Sequence, residues 1–313
     1  MSSNRLSKQE ADKLKHRASV ASIALSGMLS LLKLGAAFYS GSLAVLSSMI
    51  DSLSDILASA ITFVAIKFSA KPASEMHRYG YGKAEAVSAL FQAAFIAGSG
   101  LFVMYDSLTR LMQPRALEQT GLAIAIMVIS LVSTLFLISY QKHVAKVTES
   151  QAINADSEHY VVDILTNASI IVSLTVVKLF DIDWFDTLTA FVIAVYLLIN
   201  AYRLACEAIN LLLDHELDDD IRDNIKKIVS AHKEVKGMHD LRTRSLGNEY
   251  MFELHLELDG SQTLYQAHEI SDAVEQTLIK AYPNAQIIIH QDPAGIKEHR
   301  LDNQLTRRRK AKK

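Results

Sequence analysis

Two pairs of ligand-type side chains stand one helical turn apart in sequence that is otherwise apolar. Asp51 and Asp55 lie in SSMIDSLSDILASA, and His159 and Asp163 lie in SEHYVVDILTN. Residues i and i+4 share one face of a helix, so each pair projects together. Three carboxylates and one imidazole are the donor set of a borderline divalent cation such as Zn2+, held tetrahedrally at about 2.0 Å. Without a cation, three close carboxylates repel one another and some take up protons. The plainer alternative is that the acids only hydrogen-bond neighbouring helices, aided by Ser48, Ser52, Ser54 and Asn167. Paired acids are a poor choice for that purpose. An ionisable group at mid-membrane depth costs about 2.5–3.5 kcal/mol on insertion scales, and its presence is by default a functional signal.

The elements that must carry these pairs are apolar runs. Half of the 313 residues are hydrophobic, the net charge is −2, and the apolar residues gather in long stretches. A bilayer-spanning helix needs about 20 apolar residues. Six stretches qualify, at roughly 18–39, 43–68, 84–109, 120–140, 157–179 and 185–213, with 1–17 as a cytoplasmic N-terminal segment. The first follows KQEADKLKHR with no small-residue cleavage site, so it is expected to remain as a span. Lys and Arg concentrate before span one and in the loops 2–3 and 4–5, while DIDWFD at 181–186 is acidic; both termini are therefore expected on the cytoplasmic side.

From Asp214 the composition is that of a soluble domain, 214–295, followed by a tail, 296–313, that ends in RRRKAKK. That ending reads as a solvated tail, or as a contact for anionic lipid. DDDIRDNIKKIVSAH has helical spacing, GMHDLRTRSLG and EYMFELHLELDG read as strands around a Gly-Asn turn, TLYQAHEISDAVEQTLIKAY is an amphipathic helix and NAQIIIHQDP a last strand. The order αββαβ predicts a small α/β domain with helices on one face of a sheet. The single Cys206 excludes an intrachain disulfide and a cysteine-rich metal cluster. Neither the charge nor any motif points to nucleic acid.

These residues, in this order, resemble the cation diffusion facilitators, particularly their bacterial zinc- and iron-efflux branch. The resemblance rests on D-x-x-x-D in span two, H-x-x-x-D in span five, HRYGYGKAEA, and the ending HDLRTRSLG, HLELD, AHEISDAVE and IIIHQDP. It implies a homodimeric, proton-coupled exporter of Zn2+, with Cd2+ or Fe2+ as further cargo, in a bacterial inner membrane. Asp51, Asp55, His159 and Asp163 would form the transport site. The soluble end would be a ferredoxin-like cytoplasmic domain holding a zinc pair between protomers through His239, His255, His290 and Asp292, with His268 also at the site. From spacing alone, scattered surface histidines are the stronger reading of that second group, and it is the resemblance that favours a metal site. Lys83 and Asp214 match positions that the family pairs into a charge interlock, though either could serve as an interfacial anchor. There is one departure. A third family site needs an acid three residues before His77 and a histidine four after it, but Ser74 and Tyr81 stand there, which leaves His77 as a weak loop site beside Glu75.

Two other classes compete with transport. A membrane metalloenzyme needs a base beside its metal, and the chain has no H-E-x-x-H helix and no G-x-S-x-G turn. A membrane-anchored metal sensor would not need charged pairs in two of its helices. A Walker A loop is absent as well, which disfavours ATP-driven transport on this chain.

Overall fold

The computed structural model describes residues 8–40, 43–112, 121–180, 184–247, 249–296 and 300–304. The side chains of 8, 33–40, 43–54, 106, 110–112, 121–127, 166–167, 169–180, 184–187 and 189 lie outside that description. So do the basic ending 307–313, the start of the acidic 181–186 loop, and the side chains of Asp51, Ser48, Ser52, Ser54 and Asn167.

The chain divides into two compact units, Met1–Leu212 and Leu213–Lys313. The first holds six long helices: α1 (Lys8–Ser40), α2 (Leu43–Ser69), α3 (Ala84–Met112), α4 (Gly121–Thr148), α5 (Gln151–Phe180) and α6 (Trp184–Leu212). Three segments within them, Ala84–Thr109, Val128–Thr148 and Ala190–Leu212, are long and apolar enough to cross a membrane among the described residues. Their outward faces carry Phe102, Phe136, Val192 and other large apolar side chains in the open, an arrangement that suits lipid and not water. Several helices outrun their apolar stretches. α1 begins ten residues before the predicted span, where KQEADKLKHR is rich in good helix formers, and α5 begins six before. An apolar window marks the hydrocarbon layer, not the end of the helix.

α3 packs along α6, α1 along α2 and α4 along α5. At Gly100 a Cβ would meet Leu197 and Leu198 at 3.2 Å, so the absent side chain lets α3 and α6 approach. The bundle core along that seam is made of small residues, Ala86, Ala89, Ala93, Ala201 and Ala208, with Ile96 and Leu197, as expected where lipid supplies no hydrophobic drive between helices.

Two buried polar layers cross the bundle. At one end Lys15 of α1 is fully buried and its Nζ lies 2.7 Å from Glu85 Oε1 of α3. Ser69 at the end of α2 donates to the same oxygen at 3.0 Å, and Ser150, at the head of α5, donates to Oε2 at 2.5 Å. Deeper lies Asp156 of α5, which is fully buried. It accepts from Ser22 of α1 at 2.6 Å, Gln141 of α4 at 2.5 Å and Gln92 of α3 at 3.4 Å. Ser59 of α2 joins through Ser22 at 2.9 Å and Tyr160 at 2.8 Å. Five helices thus meet around one carboxylate.

The second unit runs α7 (Asp219–Ser230), β1 (Gly237–Ser245), β2 (Tyr250–Leu258), α8 (Leu264–Ala281), β3 (Ala285–Pro293). Its sheet has the order β1-β2-β3, with β1 antiparallel and β3 parallel to β2. Phe252, Leu254, Leu256 and Leu258 alternate onto one face and bury against Ile225 and Val229 of α7 and Val274 and Leu278 of α8. A capping box, Thr263 with Gln266, starts α8. Just after α6, Asp214 takes a left-handed φ of 57°, a conformation that Asp tolerates and that stops the helix.

Removing one partner of a buried ion pair leaves an uncompensated charge and costs about 3–5 kcal/mol. Lys15→Met should therefore lower the thermal midpoint of the purified protein markedly, and Lys15→Met with Glu85→Gln should recover most of the loss. Thermal denaturation in detergent measures both.

Candidate functional site

The first cluster is built by α2 and α5. His159 is buried, and its Nε2 lies 3.1 Å from Asp55 Oδ1. Asp163, one turn further along α5, completes a group in which each of Asp55, His159 and Asp163 offers a ligand atom within 4.8 Å of the others. His159 Nδ1 is buried and has no hydrogen-bond partner among the described residues. Asp51 stands one turn before Asp55 on α2, with its side chain outside the described residues. The face of α5 that carries His159 and Asp163 also carries Asp156 and Tyr160, so the Asp156 layer adjoins this cluster.

Sequence reasoning misses that layer and the Lys15–Glu85 pair. Lys15 reads as a solvated charge ahead of span one, and Asp156 falls one residue short of span five. A signal is present for Asp156, since 156, 159 or 160, and 163 repeat at the spacing of one helix face.

The second cluster lies on the face of the sheet opposite α7 and α8. Strand register sets it: His239 is paired with His255, and His255 with His290, so three imidazoles form one row across three strands. Adjacent ring centroids are 5.0 and 4.7 Å apart. Asp292, two residues beyond His290 on the same face, reaches all three. Its Oδ2 lies 2.8 Å from His255 Nδ1 and 3.6 Å from His239 Nε2, and its Oδ1 lies 3.2 Å from His290 Nε2. His239, His255 and Asp292 present ligand atoms within 4.8 Å of one another. Two imidazole nitrogens and a carboxylate suit a borderline cation, so the residues fit a zinc ion. His290 is the most exposed of the row, and His268 lies exposed on the second turn of α8, apart from the converging atoms.

Around this row the chain is pinned. The register shifts between His239 and Arg242, and Asp240 there has a φ of 50°. Burial pushes the Asp240 carboxyl up, but the backbone N–H groups of Asp302 and Leu301, with His239 and His255 nearby, hold it below the ordinary carboxylate range.

The loop between α2 and α3 is closed by the two residues that depart from the family pattern. Ser74 Oγ and Tyr81 Oη are 3.1 Å apart, the His77 N–H donates to Ser74 Oγ at 3.1 Å, and the His77 and Tyr81 rings lie tilted against each other with centroids 4.5 Å apart. Lys83 Nζ donates to the carbonyl of Leu212 at 3.4 Å within the first unit. In the second unit Asp214 lies 3.3 Å from Arg244.

Comparison with known proteins agrees with this picture. Residues 19–213 match the cation efflux transmembrane domain, and residues 217–294 match the cation efflux protein cytoplasmic domain. The cation-efflux pump FieF of Klebsiella pneumoniae is 39% identical over 293 residues, covering 92% of this chain and 96% of that protein. FieF of Serratia proteamaculans is 40% identical over 284 residues, covering 89% and 93%. Among solved structures, the metal-bound C-terminal domain of the CzcD transporter from Thermotoga maritima is 28% identical, covering 25% of this chain and 93% of that one, with a TM-score of 0.25. With both of its units matched in order and relatives this similar over nearly its whole length, the chain belongs to the cation efflux family.

Proposed function

We propose that this chain is a transporter, not an enzyme, which exports divalent metal cations from the cytoplasm, Zn2+ first among them with Cd2+ or Fe2+ as further cargo, in exchange for protons. Residues 18–213 form a six-span transport domain, 214–295 a ferredoxin-like cytoplasmic domain through which two copies pair, and 1–17 and 296–313 cytoplasmic termini at a bacterial inner membrane. The observation that carries the reading is the convergence of Asp55, His159 and Asp163 from two long helices to within 4.8 Å. Asp51 is the fourth ligand in this reading.

The chemistry follows from the Asp55–His159 contact of 3.1 Å. A carboxylate only accepts, so the proton between the two atoms sits on Nε2. A metal ion that takes Asp55 and the Nε2 of an imidazolium as ligands displaces the Nε2 proton and leaves the hydrogen on Nδ1, and a returning proton at Nε2 displaces the metal. Exchange of one for the other is thereby built into the ligands. Alternating access requires α2 and α5 to shift so that the site faces first the cytoplasm and then the outside. His239, His255, His290 and Asp292 hold zinc in the cytoplasmic domain, where it ties the strands of the sheet and stabilises the pairing of copies.

Three outcomes test this. Asp51→Ala, Asp55→Ala and Asp163→Ala should each reduce zinc flux in sealed vesicles to background while the protein still inserts, because no neutral neighbour compensates a divalent charge. Normal flux in Asp55→Ala would refute the site. His159→Asp converts the donors to oxygen alone, which suits harder ions. It should weaken the preference for Zn2+ and Cd2+ over Mn2+ and shift the pH profile of zinc binding, which in the native site weakens as pH falls because protonated imidazole cannot bind metal. An unchanged metal ranking and pH profile would remove His159 from both roles. His77→Ala should leave zinc export largely intact, since Ser74 and Tyr81 bond each other at the positions where ligands would be needed. A loss like that of Asp55→Ala would show that the loop binds cargo.

A further inference from the structure

We propose that Glu257 and Arg300 are positioning residues of the His239 metal centre, an inference that rests on the metal reading of that row. Arg300 holds the Glu257 carboxylate, and Glu257 holds His239 with Nε2 turned to the metal.

The contacts form a chain. His239 Nδ1 lies 3.0 Å from Glu257 Oε1, and Arg300 Nη2 lies 2.7 Å from the same oxygen. The carboxylate can only accept, so Nδ1 carries the hydrogen and the lone pair is on Nε2, the atom that faces Asp292 Oδ2 at 3.6 Å. Metal-bound imidazoles are commonly oriented in this way through their second nitrogen, and loss of such a partner typically lowers metal affinity about 10–100-fold.

Two features outside the chain of contacts serve it. Gly237 is paired with Glu257 across the strands, and a Cβ there would lie 3.0 Å from Glu257 Oε2 and 3.1 Å from its Cδ. The bare backbone at 237 is the seat in which the carboxylate rests. Arg300, in turn, is delivered by a segment tied to the strand bulge beside His239. Asp240 Oδ2 accepts the Leu301 N–H at 2.8 Å and Oδ1 accepts the Asp302 N–H at 2.9 Å, while the Asp240 N–H donates to Asp302 Oδ2 at 2.9 Å. The segment 300–304 is thus tied to the bulge beside His239 and brings Arg300 to Glu257.

Zinc titration of the full-length protein in detergent tests this, in a background of Asp55→Ala and His159→Ala so that the membrane site does not contribute. Glu257→Ala should weaken zinc binding about tenfold or more. Glu257→Gln, which keeps an acceptor oxygen, should recover part of that loss. Gly237→Ala should weaken binding by displacing the carboxylate. Arg300→Ala should cause a smaller loss that Arg300→Lys partly restores and that disappears when Glu257 is already Ala, because Arg300 acts only through Glu257. Additive losses in Arg300→Ala with Glu257→Ala would overturn the relay. So would native affinity in Glu257→Ala while His239→Ala abolishes binding. Native affinity in His239→Ala would instead overturn the metal reading, and this inference with it.

Discussion

The contact between His159 and Asp55 sets the terms for the membrane unit. Each of these groups would be expensive alone inside an apolar bundle. Together they make a hydrogen bond of 3.1 Å, across the space a cation held by both would take. In the exchange proposed above, metal and proton compete for that space. The surrounding helices need only hold the two sides of the pair within reach and exclude water.

The layers between this pair and the ends of α1, α3 and α5 follow the same constraint by other means. Asp156 is surrounded by neutral donors, Ser22, Gln92 and Gln141, from three helices, while Glu85 is met by a full positive charge on Lys15. Half-satisfied polar groups in a low dielectric are more costly than apolar ones, so each layer recruits every helix near it. The layers consequently specify how α1 to α5 sit against one another, a task that small apolar residues such as Ala86 and Ala89 cannot perform alone. Any motion that opens the site toward that end of the bundle has to rearrange both layers.

What can be read from the sequence is local. Asp51–Asp55 and His159–Asp163 stand out because the i, i+4 relation needs no partner and contrasts with its apolar setting. The alternation in EYMFELHLELDG likewise reveals which face of β2 is buried. Lys15 and Asp156 escape such a reading because burial of a charge is decided on other helices: nothing near residue 15 announces Glu85, and nothing near 156 announces Gln141. The row of three histidines is hidden from spacing for a related reason, and only the family resemblance groups its members beforehand. Its members are 16 and 35 residues apart in the chain, and only the pairing of β1 and β3 to β2 makes them neighbours.

That difference in construction bears on what each cluster can do. Donors on α2 and α5 are joined by side-chain contacts alone, so a modest shift of one helix against the other separates Asp55 from His159 while leaving both backbones intact. Donors on β1, β2 and β3 are joined by backbone ladders, and parting His239 from His255 or His290 means breaking sheet hydrogen bonds and uncovering Phe252, Leu254 and Leu256. Under the proposed function, the membrane cluster can therefore form and release its ligand set in each cycle. The sheet cluster is built to keep its set assembled, with Asp292 and the Asp240 bulge adding further ties. Under the proposed function, cargo would sit at the first and a resident ion at the second, a division that follows from whether side chains or backbone hold the donors together.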